Sequence, residues 1–328
     1  MRERLGTLLK VAISLALIAY IFTRPSIQDV DWGAVVSQVR PGPWLLAFGI
    51  YFVAIGFNVL KWQYLLRTLD VPVPFAGLYR HNLVGLFFAN LPLSMVGADI
   101  ARGWDLARST EGKTAEVAVS VLVDRLVGLA AFLLAAVVGL ACAVLLLGRP
   151  DLTWLLTTLG LILAAFAVAF AMLMSERLRH LVERILNLGP LRKGLPLYQG
   201  LSDSVQVYRT HLGALVVALG IGLLTVASTC VVNYLAAVSV GADVTAGWVF
   251  ILTPLTAFAP FLPSIASGLG WNQGVFIVLY SELTGLVPPG TALVMSLSMQ
   301  LIIILASLPG GVLWWRRGTS STGAANDD

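Results

Sequence analysis

The chain is 328 residues long, 58% hydrophobic and 12% charged, with a net charge of +4 and a mean hydropathy of +0.87. Soluble domains carry about a quarter charged residues, so this composition excludes a soluble catalytic domain and describes a polytopic membrane protein. The small positive excess does not point to nucleic acid, because its placement follows membrane topology. Cys142 and Cys230 lie in apolar runs and read as packing residues, neither a disulfide nor a metal pair.

In chain order, the first predicted span is 5–22, flanked by Arg2, Arg4 and Lys10 as in a signal peptide. No small-residue cleavage site follows before Thr23-Arg24-Pro25, so an uncleaved anchor is expected. Residues 31–39 form a short amphipathic piece ended by Pro41-Gly42-Pro43. A second span covers 43–66 and carries Asn58 and Lys61 near its far end. A broken pair follows at 75–91 and 98–109, then a third span at 117–147 with Asp124 and Arg125, and a fourth at 153–174. Residues 176–188 alternate apolar and basic faces at helical spacing, as an interfacial helix does. The loop continues through 198–211 to a fifth span at 212–239, a second broken pair within 248–286 and a sixth span at 291–315. The expected fold is all-α: six full spans plus two broken re-entrant helix pairs, in one membrane domain over 1–316 with a polar, disordered tail at 317–328.

The two breaks organise the chain. Apolar residues run into Pro92, stop, and resume after Gly97 with Asp99 and Arg102. Proline ends a helix, glycine opens backbone conformations closed to other residues, and irregular backbone at membrane depth must face protein or a wet cavity. The interruption recurs from Pro263 through Gly268 and Gly270 to Asn272 and Gln273. A single shift of the sequence along itself lays both Pro92 on Pro263 and Gly97 on Gly268. Two interrupted segments in corresponding halves, repeat one at about 43–147 and repeat two at about 212–315, point to a transporter's binding site.

With the N-terminus inside, the inner segments hold 17 of the 21 Lys and Arg residues. Both termini are then cytoplasmic in a plasma-membrane protein, and the repeats are inverted. Helices restarting after Gly97 and Gly270 would aim their positive ends at the centre, which suits an anion such as phosphate.

Asp99, Arg102, Asp105 and Arg108 stand three apart. Asp105 and Arg108 read as a solvated ladder, Asp99 and Arg102 as functional because they adjoin the break. Arg125 is a second intramembrane cation, with Asp124 placed to orient it. Asn90 reads as an interhelical hydrogen-bond donor, His81 and His211 as solvated interfacial residues, and Glu282 as outer surface.

These residues also carry a family resemblance. The stretches NLPLSMVGADIARGWDLAR, SVLVDRLVGL and PSIASGLGWNQGVF resemble the signatures of the flippase-like family typified by the transmembrane region of lysylphosphatidylglycerol synthases. That pattern is P-x(3–4)-G-G-D-x-x-R, a Glu-Arg pair in the next span, and a second element G-L-G-x-R-E-G. Pro92, Gly97, Asp99 and Arg102 match the first motif, with Ala98 at its second glycine. Arg125 matches the pair, with Asp124 in place of glutamate. Gly268, Gly270 and Gly274 match the last motif, where Asn272 and Gln273 replace the charged Arg and Glu. The resemblance implies movement of an anionic phospholipid or polyprenyl-phosphate headgroup between leaflets, beside an enzyme that builds it.

An enzyme is not expected: there is no H-E-x-x-H, no G-x-S-x-G, no His/Cys ligand cluster and no close carboxylate pair. No nucleotide-binding loop is present, so no ATP hydrolysis, cofactor, metal or nucleic-acid partner is expected of this chain. The reading is a lipid flippase-like transporter working by alternating access. A membrane subunit supporting a lipid-modifying or glycosyl transferase, and a polar-solute secondary transporter, remain as alternatives.

Overall fold

The computed structural model describes residues 39–90, 94–110, 112–175, 206–258 and 270–323, with Thr23, Gly33 and Gln199; for 94–98 and 317–323 it describes the backbone alone. Apart from isolated positions, the anchor expected at 5–22 and the amphipathic segments at 31–39 and 176–188 lie outside these residues.

Among the described residues the fold is all-α. Backbone groups in lipid must be satisfied within the segment, and a helix does this at every residue. The elements are α1 (Pro41–Thr68), α2 (Phe75–Ala89), α3 (Ser94–Ser109), α4 (Thr114–Leu145) and α5 (Thr153–Met174). They continue as α6 (Leu212–Ser239), α7 (Ala246–Thr256), α8 (Trp271–Phe276), a π-helical turn (Ile277–Leu283) and α9 (Pro289–Gly323). Five helices are long and apolar enough to cross a membrane, and they coincide with the second to sixth predicted spans. A 28-residue helix such as α1 is about 42 Å long, more than a hydrocarbon core requires.

The duplication is visible in the backbone. Helices α1 and α6 have the same length, and the shift that carries Pro41 onto Leu212 also carries the start of α2, Phe75, onto the start of α7, Ala246. Each long helix ends in a left-handed residue, Asp70 at φ 55° and Gly241 at φ 72°. The closing hydrogen bonds match too: Val71 N donates to Leu66 O at 3.1 Å, and Ala242 N to Ala237 O at 3.0 Å. This pattern satisfies the last carbonyls of a helix. After the breaks the spacing grows slightly, as the starts of α4 at Thr114 and α9 at Pro289 show.

The chain divides into two compact units. One comprises 1–56, 76–106 and 225–328, the other 57–75 and 107–224. In the first, Arg40 N donates to Ser239 O at 2.7 Å, and Ala47 joins Val232, Ala236, Met299 and Ile302 in one apolar cluster. The start of α1 therefore lies against the end of α6, so these corresponding helices run antiparallel, as inverted repeats require. In the same unit α9 crosses α2 so closely that a Cβ on Gly310 would lie 2.0 Å from the Leu83 carbonyl oxygen. Pro254 in α7 lacks the N–H that would bond Phe250 O, and the buried Cys230 thiol approaches that carbonyl at 4.0 Å. In the second unit α4 packs along α5.

Two expected boundaries move. Helix α3 begins at Ser94 and not after Gly97, so Gly97 sits inside its first turn. Helix α9 runs to Gly323, past the start of the tail expected at 317.

Candidate functional site

At the first break α2 ends at Ala89, and the Asn90 side chain donates to Leu86 O of its own helix at 3.1 Å. Asn90 was expected to bond between helices; this bond is local, because an amide at a helix end finds the orphan carbonyls nearest. Pro92 lies outside the described residues. On α3, Arg102 Nε donates to Asp99 Oδ1 at 3.0 Å, and Arg102 is only 4% exposed. A spacing of three brings the two groups onto one face. The two side chains are thus paired, and the guanidinium is buried, unlike a solvated ladder rung.

On the next turn of that ladder Asp105 Oδ2 lies 2.6 Å from His81 Nδ1 on α2, and His81 is buried, not solvated as expected. One further turn of α3 carries Asp105 to the neighbouring helix. Arg108 is exposed, in keeping with its assignment.

The next span brings in a partner from another helix. Asp124 is buried at 3% exposure and pairs with Lys61 of α1, Nζ to Oδ1 3.1 Å. The ion-pair distance is short, but Oδ1 receives no well-angled hydrogen bond; Lys61 Nζ donates instead to the Asp124 main-chain oxygen at 3.2 Å. Gly128, one turn on, makes this possible, since a Cβ there would stand 3.1 Å from Nζ. Arg125, beside Asp124 on α4, is half-buried. Next to the pair, Trp62 Nε1 donates to Ser120 Oγ at 3.0 Å and Tyr208 OH to Leu65 O at 3.0 Å. These groups belong to the second unit; Asp99 and Arg102 belong to the first.

The second break restarts as expected. Gly270 takes φ 92°, a conformation open to glycine, and α8 begins at Trp271. Gln273 Oε1 accepts from Gly270 N at 2.7 Å, the reciprocal half of a capping box. Its Nε2 is buried without a hydrogen-bond partner. Asn272 Nδ2 faces Gln300 Oε1 of α9 at 3.4 Å. Gly268 lies outside the described residues.

Residues 7–310 match the family model described as the lysylphosphatidylglycerol synthase TM region. The chain belongs to that family. It is thus a membrane protein of a family tied to lipid handling. No curated protein matches the chain. Glutamine closes this cap through its side-chain oxygen, as a glutamate would, and brings no charge.

Sequence reasoning missed Lys61, His81 and Gln300. Lys61 carried the clearest signal, an ionisable residue inside an apolar helix with Asp124 available in another. Among the described residues, no cluster of three His, Cys, Asp or Glu side chains suits a metal ion.

Proposed function

We propose that the chain moves an anionic lipid, a phospholipid or polyprenyl-phosphate-linked headgroup, between leaflets by alternating access, without chemical conversion of the lipid. The observation that carries this reading is the buried Arg102, held by Asp99 directly after the first break. A guanidinium stays ionised when desolvated and matches phosphate with a planar fork, so a buried, oriented arginine in a lipid-handling family suits a headgroup phosphate. The antiparallel α1 and α6 support exchange between two access states. Arg125 is the second assigned cation, and an enzyme that builds the headgroup is the expected partner. The proposed setting is the plasma membrane with both termini cytoplasmic. Lys61 and Arg102 are buried, so fifteen of the seventeen inner charges remain to carry the topology.

The test is translocation of a labelled anionic lipid in proteoliposomes, normalised to folded protein. Arg102→Lys and Arg125→Lys keep the charge and lose the fork, and transport should fall about tenfold or more, the loss of roughly one charge-assisted bond. Arg108→Lys should leave it unchanged. Equal activity in all three would reduce the proposed site to structural ion pairs. A polar-solute transporter is the second reading, favoured by the uncharged Asn272–Gln300 contact at the second break. It predicts solute flux and no lipid movement in the same vesicles.

A further inference from the structure

The Lys61–Asp124 pair has a counterpart in the second repeat. Shifted by the offset of α1 to α6, Lys61 falls on Val232; shifted by the offset of α4 to α9, Asp124 falls on Met299. Val232 and Met299 belong to one buried apolar cluster. The fold therefore builds the same helix contact with hydrocarbon alone, and packing does not require an ion pair at this place.

The pair is also deeply buried. Lys61 and Asp124 are 4% and 3% exposed, and the carboxylate oxygen nearest the ammonium makes no well-angled hydrogen bond. A buried pair offsets its desolvation only with excellent geometry, and apolar replacement is often neutral or stabilising. Ionisable residues kept inside a membrane at such cost mark ion and proton pathways.

The lysine lies close along two glycines: a Cβ on Gly128 of α4 would stand 3.1 Å from Lys61 Nζ, and one on Gly222 of α6 would stand 3.7 Å from its Cδ. Of the described ionisable groups, Lys61 of α1 pairs with the carboxylate, Arg125 is its neighbour on α4, and Tyr208, ahead of α6, interacts with its charge. Helix α5 and the stretch 212–224 of α6 carry no ionisable residue.

We propose that Asp124 is a proton-binding site whose protonation releases Lys61. One proton adds to the carboxylate to form the carboxylic acid, and no other bond changes. The pair then passes from neutral to a single positive charge, which the interior does not stabilise, so the ammonium is released from the carboxylate. The use of this proton to drive transport rests on the lipid-transport reading; proton binding does not.

The test is modification of the full chain, in lipid nanodiscs, by an apolar carbodiimide, which reacts with protonated buried carboxyls. Mass spectrometry reads the site. Asp124 should be modified, and its modification should rise about tenfold for each pH unit of acidification above the midpoint. Lys61→Met should move that rise to higher pH, because the carboxylate loses its partner. The double variant Lys61→Val with Asp124→Met, which installs the second repeat's residues, should melt no lower than the natural chain. It should also make lipid transport insensitive to a pH gradient. Asp124 unmodified at every pH where the fold persists would overturn the proposal, as would a double variant that melts far below the natural chain. Labelling requires no transport, so a failure of the lipid-transport reading would be seen separately.

Discussion

Asp70 and Gly241 hold the same left-handed turn at corresponding positions of the two repeats, each closing a 28-residue helix. Each is followed by the same closing hydrogen bond, Val71 N to Leu66 O in one copy and Ala242 N to Ala237 O in the other. An aspartate tolerates this conformation better than most residues, because its short polar chain bonds locally. Two chemically different residues thus serve one backbone requirement, the mark of a duplicated element.

The two positions should respond differently to substitution. Gly241→Val should cost about 1–2 kcal/mol, the penalty of a branched side chain in the left-handed region. Asp70→Gly should change stability by less than about 1 kcal/mol, since relief of that penalty is offset by glycine's greater freedom when unfolded. Thermal unfolding in detergent measures both. A larger loss at 70 than at 241 would break their equivalence.

At the crossing of α2 and α9, the two adjacent glycines face different obstacles. A Cβ at Gly310 meets the Leu83 carbonyl oxygen at 2.0 Å, whereas one at Gly311 meets the Phe87 ring at 2.7 Å. Backbone cannot swing aside and a ring can. Gly310→Ala should therefore cost about 1–3 kcal/mol or more, and Gly311→Ala distinctly less. Melting temperatures of the two variants decide.

The contact between His81 and Asp105 predicts a coupling. Asp105→Ala should cost about 1–3 kcal/mol by stranding a buried imidazole, while Arg108→Ala should stay within about 0.5 kcal/mol. A double-mutant cycle with His81→Ala should recover most of the Asp105 loss. Strict additivity would show that the two side chains do not act together.

For Gln273 the cap predicts which change is tolerated. Gln273→Glu retains an oxygen for the Gly270 N–H and should keep the fold; Gln273→Leu should cost about 1–3 kcal/mol by leaving that group unbonded. If Gln273→Leu melts with the natural chain, the cap is incidental.

Topology has its own check. In a chain with Cys142 and Cys230 replaced, single cysteines at Gln199 and Gly323 should resist impermeant reagents in intact cells and react after permeabilisation. Labelling of both from outside would reverse the proposed orientation.

The spans were legible because hydrophobic run length and Pro/Gly punctuation are local properties. Pro92 on Pro263 already showed the repeat spacing that the turns at Asp70 and Gly241 repeat. Asp99 with Arg102 was legible for the same reason, both lying on one helix face. The contacts of Asp105 with His81 and of Asp124 with Lys61 were not, because each is set by which helix packs alongside, and local spacing shows only neighbours such as Arg108 and Arg125. The start of α3 was misplaced because Gly97 reads as a breaker, although a glycine in a first turn breaks nothing.

The antiparallel run of α1 and α6 bears on energetics as well as architecture. Two copies of one fold laid head to tail admit a pair of conformations related by letting the copies trade places. Were the copies identical, those conformations would be degenerate, and neither face of the membrane would be preferred. Each sequence difference between the copies lifts that degeneracy. An ion pair in one copy against Val232 and Met299 in the other is such a difference, and exchanging a buried pair for hydrocarbon shifts free energies by about 1–4 kcal/mol. About 1.4 kcal/mol is a tenfold population ratio, so under the proposed alternating access this one contact is large enough to set which way the resting protein opens.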